Sequence, residues 1–235
     1  MPTGGTVMPR LVKDRTMQEA AMRAGLRLVH FDIEIGVEFY EETRSHYSRK
    51  AKTLEEKHNA RPSSYWSEDV GDGTTRGDLA SEEYGELEEM LQLNSYFGMV
   101  TVFGALERCF LRIFQDMKSL KLVEDKHQKK RSYLTLGGYK DALKSVDIHV
   151  AKQPFKWSDI IKFQDLRDAI AHQNGFVTEE NINRLTQYGY KKLGQRVEIS
   201  DKYFRSAVEL AKESSTLLVK EYSKVIRKLG RKKIR

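Results

Sequence analysis

Arg167 and His172, in the segment LRDAIAHQNG, are the residues of this sequence best suited to chemistry on a phosphate. Four residues separate them, and Asp168 stands one helical turn ahead of the histidine, so Asp168 and His172 share a helix face. Histidine in water ionises near about 6.5 and so exchanges protons at working pH. A guanidinium stays cationic and grips a phosphate with two parallel N–H groups as negative charge builds up. Together they suit cleavage of RNA without a metal. The 2′-hydroxyl attacks the adjacent phosphorus, the 5′-oxygen leaves, and a 2′,3′-cyclic phosphate remains. Asp168 is expected to fix the imidazole's tautomer and orientation. Leu166, Ala169 and Ile170 form the apolar stripe of the same helix and leave Arg167 and His172 on its two flanks. One copy therefore makes a poor site, whereas two copies about a two-fold axis bring both arginines and both histidines into one cleft.

Spacing alone is a weak signal. Arg23 and His30 satisfy a looser version of the same pattern, but an alanine follows that arginine and no helix stop follows that histidine. The bland alternative for Arg167, Asp168 and His172 is a solvated face with a surface ion pair. The run KHQKKR, with Lys126, Lys129, Lys130 and Arg131, and the tail RKKIR suit RNA backbone, although such runs are commonly just solvated. Tyr65 and Trp66 are placed either to stack on bases or to pin a loop to the core. No spacing of histidines and carboxylates suggests a metal site, and no glycine-rich turn follows a strand to cradle a nucleotide, so no cofactor is expected.

The elements that must position these residues read as helices. Residues 9–59 carry few breakers, with Leu26, Val29, Ile33, Val37 and Tyr40 at helical spacing, and predict one or two long amphipathic helices. ARPSSYWSEDVGDGTTRGDLAS combines a proline with three glycines and predicts a loop. A second long helix is expected from Ser81, with glutamates near its start and a core stripe of Leu106, Phe110, Ile113, Phe114 and Met117. Gly137–Gly138 and Pro154 divide short helices. Ser158 caps the helix carrying the candidate residues, which ends at Asn174–Gly175. Thr178, Glu180 and Asn181 open another short helix, QRVEIS is extended, and Ser200 caps a last long helix ending at Gly230. The expected fold is all-α, a bundle of long antiparallel helices with room for one short strand pair after the motif helix. An N-terminal helical extension (1–60), a flexible loop (61–80) and a helical domain with a basic tail (81–235) are the expected parts.

The 235 residues are 39% hydrophobic and 32% charged, an ordinary globular balance leaning towards charged helices. A net charge of +7 favours a polyanionic partner. The single cysteine, Cys109, lies in an apolar run and can form neither an internal disulfide nor a zinc cluster. With no apolar run of spanning length and no apolar core near the start, a cytoplasmic protein without membrane contact is expected.

RDAIAHQNG resembles the signature of the HEPN superfamily, in its ribonuclease branch with toxin and phage-defence members: Arg, a polar residue, a few mostly apolar residues, His, then a helix end. YFGMVTVFGALERCFLRIF looks like that family's core helix, with Glu107 where an acidic residue is often found, and WSDIIKFQDL looks like its approach to the motif. The resemblance covers residues 81–229 and leaves the first sixty unmatched. Asp168 replaces the more frequent Asn. The resemblance implies a helical homodimer acting as a metal-independent endoribonuclease, often with an antitoxin or regulatory protein as partner. Arg167 and His172 would be catalytic, with Asp168 and Glu107 supporting. Some members are instead non-catalytic RNA-binding or protein-interaction modules.

Overall fold

A computed structural model describes residues 8–123, 135–152 and 154–232. In chain order the elements are α1 (Met8–Asn59), α2 (Ser63–Trp66), β1 (Asp69–Gly71), β2 (Thr74–Thr75), α3 (Arg76–Ser119), α4 (Leu136–Ser145), α5 (Trp157–Gln173), α6 (Ile182–Leu185) and α7 (Asp201–Lys232). The chain is all-α, with one small antiparallel hairpin among the described residues. Among the described residues no helix is long and apolar enough to cross a membrane. The basic run with Lys126, Lys129, Lys130 and Arg131 lies outside the described residues.

Local chemistry sets the helix ends. α1 is unbroken, and its buried positions Val29, Ile33, Gly36 and Tyr40 recur at three to four residues. α3 begins at Arg76 rather than Ser81, because Thr75 and Asp78 form a reciprocal cap. The Thr75 N–H donates to Asp78 Oδ2 at 2.8 Å and the Asp78 N–H to Thr75 Oγ1 at 3.1 Å. Just before it, β1 and β2 are joined through Asp72 (φ 55°) and Gly73 (φ 75°), whose left-handed backbone suits the tight hairpin turn. The strand pair thus lies ahead of α3, and after α5 the extended chain pairs through the single bridge Phe176–Arg196. Gly137 and Gly138 fall inside the first turn of α4, where Thr135 Oγ1 caps the Gly138 N–H at 3.2 Å. α5 starts at Trp157 with Ser158 inside its first turn, because the Lys156 carbonyl takes the Asp159 and Ile160 N–H groups. Ser200 caps α7 through the Tyr203 N–H at 3.1 Å, and the helix continues past Gly230 to Lys232.

The described residues gather into two compact units, each drawing on α1, α3, α5 and α7: those within 1–34, 102–166 and 206–235 form the first, those within 35–101 and 167–205 the second. The first packs Phe103 edge-on to Phe163 (5.0 Å) and Phe110 against Tyr139 and Trp157, with Leu106, Met117, Ile160 and Leu218 fully buried. Its buried Tyr222 donates its hydroxyl to Asp116 at 2.8 Å. His30, from the looser pair of the sequence, shares a hydrogen bond with Ser215 Oγ at 3.2 Å. The second unit centres on Tyr40, whose ring lies 3.9 Å from that of Phe204 while its hydroxyl donates to Asp201 at 3.0 Å. Gly98 is obligatory there, since a β-carbon would come within 2.6 Å of Phe204 Cε2.

Candidate phosphate-handling site at the end of α5

The last turns of α5 in the second unit carry all three motif residues. Ala169 and Ile170 are buried, which anchors the helix and turns its other faces outward. His172 is exposed in the last turn, and its imidazole hydrogen-bonds with no described residue. Arg167 and Asp168 are largely covered, with side chains 16% and 19% exposed. Arg167 Nε stands 3.3 Å from Asp168 Oδ1, and Arg184 Nη1, from α6, stands 3.7 Å from Asp168 Oδ2.

This pairing corrects the role expected of Asp168. Its one-turn spacing from His172 is present, but the carboxylate engages two guanidinium groups and makes no hydrogen bond to the imidazole among the described residues. The physical reason is charge. A largely covered carboxylate within ion-pair range of two permanent cations is stabilised by both. Asp168 therefore lies within ion-pair range of two arginines. Arg184 had no signature of its own in the sequence, where sixteen positions separate it from Asp168.

The helix stop is rigidly built. Asn174 (φ 51°) and Gly175 (φ 78°) take the left-handed conformation, and the Gly175 N–H reaches back to the Ala169 carbonyl at 3.0 Å. The chain beyond is stitched to residues 194–197: the Val197 N–H donates to Gly175 O (2.7 Å), the Val177 N–H to Gln195 O (2.9 Å) and the Gly194 N–H to Val177 O (2.9 Å). From α3, the buried Tyr96 hydroxyl donates to Val197 O at 2.6 Å. Arg196 lies over the Tyr96 and Phe176 rings and forms a two-pronged pair with Glu89, Nη2 to Oε1 at 2.7 Å. Those hydrogen bonds hold the Glu89 carboxyl below its usual range. The fully buried Asn181 accepts the Thr178 N–H at 2.8 Å and donates to Phe176 O at 3.0 Å. Nothing in a one-dimensional spacing marks Tyr96, Glu89 and Arg196 as supports of this end, because they come from α3 and from a segment far along the chain.

The product is a fixed helix end that presents an imidazole to solvent, beside a carboxylate bracketed by two arginines. Arg167 and Arg184 place two permanent cations beside Asp168 at this end, while Glu180 accepts from Gln173 Nε2 at 3.3 Å. Glu107 belongs to the first unit, on α3, and its charge adds to the burial that raises the Tyr139 hydroxyl. Among the described residues no group of three or more His, Cys, Asp or Glu is placed to hold a metal ion. Comparison with protein-family models, with curated proteins and with solved structures found no match for this chain.

Proposed function

We propose that the chain is a metal-independent endoribonuclease of the HEPN type, active as a homodimer whose cleft takes Arg167 and His172 from both copies. The observation that carries this reading is the end of α5: an exposed imidazole on a rigid helix stop, with Arg167 and Arg184 held around Asp168 in the same unit. One His172 takes the proton from the ribose 2′-hydroxyl as that oxygen attacks phosphorus. The other gives a proton to the departing 5′-oxygen, leaving a 2′,3′-cyclic phosphate and a 5′-hydroxyl. Arg167 sits over the phosphoryl oxygens as charge accumulates, with Asp168 in ion-pair range of its guanidinium. Arg184, its side chain 46% exposed, adds a second cation for the same phosphate or its neighbour. A toxin or antiviral effector restrained by a partner protein fits such an activity, because unrestrained cleavage of RNA harms the cell that makes it.

The test is incubation of wild type and His172→Ala with a pool of tRNA and single-stranded RNA in EDTA, followed by mapping of fragment ends. Cleavage by wild type alone with cyclic phosphate ends is expected. Equal cleavage by both proteins, or none by either, overturns the assignment of His172. The latter result moves the chain to a non-catalytic binding module.

A further inference from the structure

We infer that the outer face of α1 and α3 in the second unit is the surface on which a second copy of this chain docks. The inference deepens the proposal above and rests on its dimer, while the surface itself is argued from apolar area. Ile35 and Phe39 on α1, and Met90, Leu93, Phe97 and Val100 on α3, are each between 36% and 52% exposed. The Phe39 and Phe97 rings meet with centroids 4.9 Å apart and planes inclined at 57°, which joins the two stripes into one surface. Singly exposed apolar residues are ordinary, but six on two helices joined by the Phe39–Phe97 contact are not.

The seam is not needed for the unit's own core. α3 already buries Leu87, Asn94 and Met99 on another side, where Asn94 Nδ2 donates to Tyr40 O at 2.8 Å. The outward positions 90, 93, 97 and 100 follow the alternating three–four spacing of a coiled-coil seam, which seats knobs between residues of a facing helix with a matching repeat. The chain supplies that matching helix itself, since a two-fold axis sets identical surfaces against each other. At roughly 100 Å² for each half-exposed large side chain, the six offer about 600 Å², at the top of the range for a monomer's largest patch and near the ~800 Å² per partner of a standard interface. Glu38, Glu42 and Glu86 are exposed on the turns beside the seam. They give it a polar rim and disfavour phosphate on the seam itself.

The experiment is light scattering after gel filtration, at micromolar protein and two salt concentrations, on wild type, Phe97→Glu and the control Leu193→Glu. Leu193 is equally exposed but lies off the seam. Wild type and the control are expected to run as dimers that persist or tighten in high salt, because salt screens the rim carboxylates from each other. Phe97→Glu is expected to raise the dimer dissociation constant at least a hundredfold with its circular dichroism unchanged. A monomeric wild type, or a Phe97→Glu variant as dimeric as wild type, overturns the inference. Should Phe97→Glu misfold, Phe97→Cys treated with a bis-maleimide decides instead, since the one native cysteine is buried. Covalent dimers support the surface, and their absence overturns it. A dimeric wild type that cleaves no RNA leaves the surface standing and removes the nuclease reading, whereas a monomer that cleaves RNA overturns both the surface and the two-copy cleft while leaving RNA cleavage itself.

Discussion

Gly175→Ala probes the end of α5 most directly. Residue 175 has φ 78°, a conformation that costs a residue with a β-carbon about 1 kcal/mol or slightly more. The added carbon also falls inside the space of the Tyr96 phenol ring. The ring must therefore move, and its buried hydrogen bond to Val197 O, 2.6 Å in the native arrangement, is lost. Breaking a buried hydrogen bond costs about 1–3 kcal/mol. Gln92 Nε2 donates to the same carbonyl at 3.2 Å and keeps it from being fully orphaned, which puts this share near about 2 kcal/mol. The sum is about 3 kcal/mol. Gly194 supplies the control, because its φ of 75° is almost the same while nothing lies within 4 Å of an added β-carbon. Gly194→Ala should therefore lose only the backbone share, about 1 kcal/mol. Urea unfolding of both variants at constant pH measures the difference. Equal losses at the two positions would falsify the claim that Tyr96 closing on residue 175 holds the helix stop.

Two further expectations concern titration. Burial pushes the Cys109 thiol up to about 12, so it stays protonated at pH 8; iodoacetamide should label it only after denaturation, and ready labelling of the native protein would contradict that burial. Three carboxyls are held low by their partners: Asp78 by the Thr75 N–H and hydroxyl, Glu89 by Arg196, and Asp201 by Arg205 and Tyr40. Their folded pKa values lie below the unfolded ones. Their contribution is complete above the unfolded carboxylate range near about 4 and disappears as the pH falls through the lower folded values. Urea midpoints should therefore drop below pH 4, and the drop should shrink in Arg196→Gln, which releases Glu89; an unchanged acid limb in that variant would count against the pairing.

How much of this was legible in the sequence depended on the range of the forces involved. The Asn174–Gly175 stop and the Ser200 cap are local, so they were readable residue by residue. The true start of α3 was equally local, in the Thr75–Asp78 cap, but the glycines around it masked the signal. Gly137 and Gly138 mislead for the opposite reason: in the first turn of α4 the backbone N–H groups lack helical partners anyway, so glycine interrupts little there. Asp168 was assigned to His172 because spacing within one helix was visible, whereas the competing cation, Arg184, comes from a different helix.

The central part of α3 explains why the docking seam was hidden. A helix apolar on most sides reads as a core helix, and Leu106, Phe110 and Met117 are indeed buried in the first unit. Yet Leu93, Phe97 and Val100, from the same run, face outward in the second. Sequence carries the hydrophobic pattern but not the number of neighbours available to cover it. That surplus bears on function. Arg167 and His172 stand on opposite flanks of one helix, so a single copy does not assemble the proposed constellation, and the exposed apolar area provides a physical reason for a second copy to be present. The catalytic and docking proposals thus draw on different residues with different forces, charge at the end of α5 and apolar burial on α1 and α3. His172→Ala should leave dimerisation untouched, while Phe97→Glu should remove both dimerisation and cleavage. Loss of dimerisation in His172→Ala, or undiminished cleavage by a monomeric Phe97→Glu, would break the link between them.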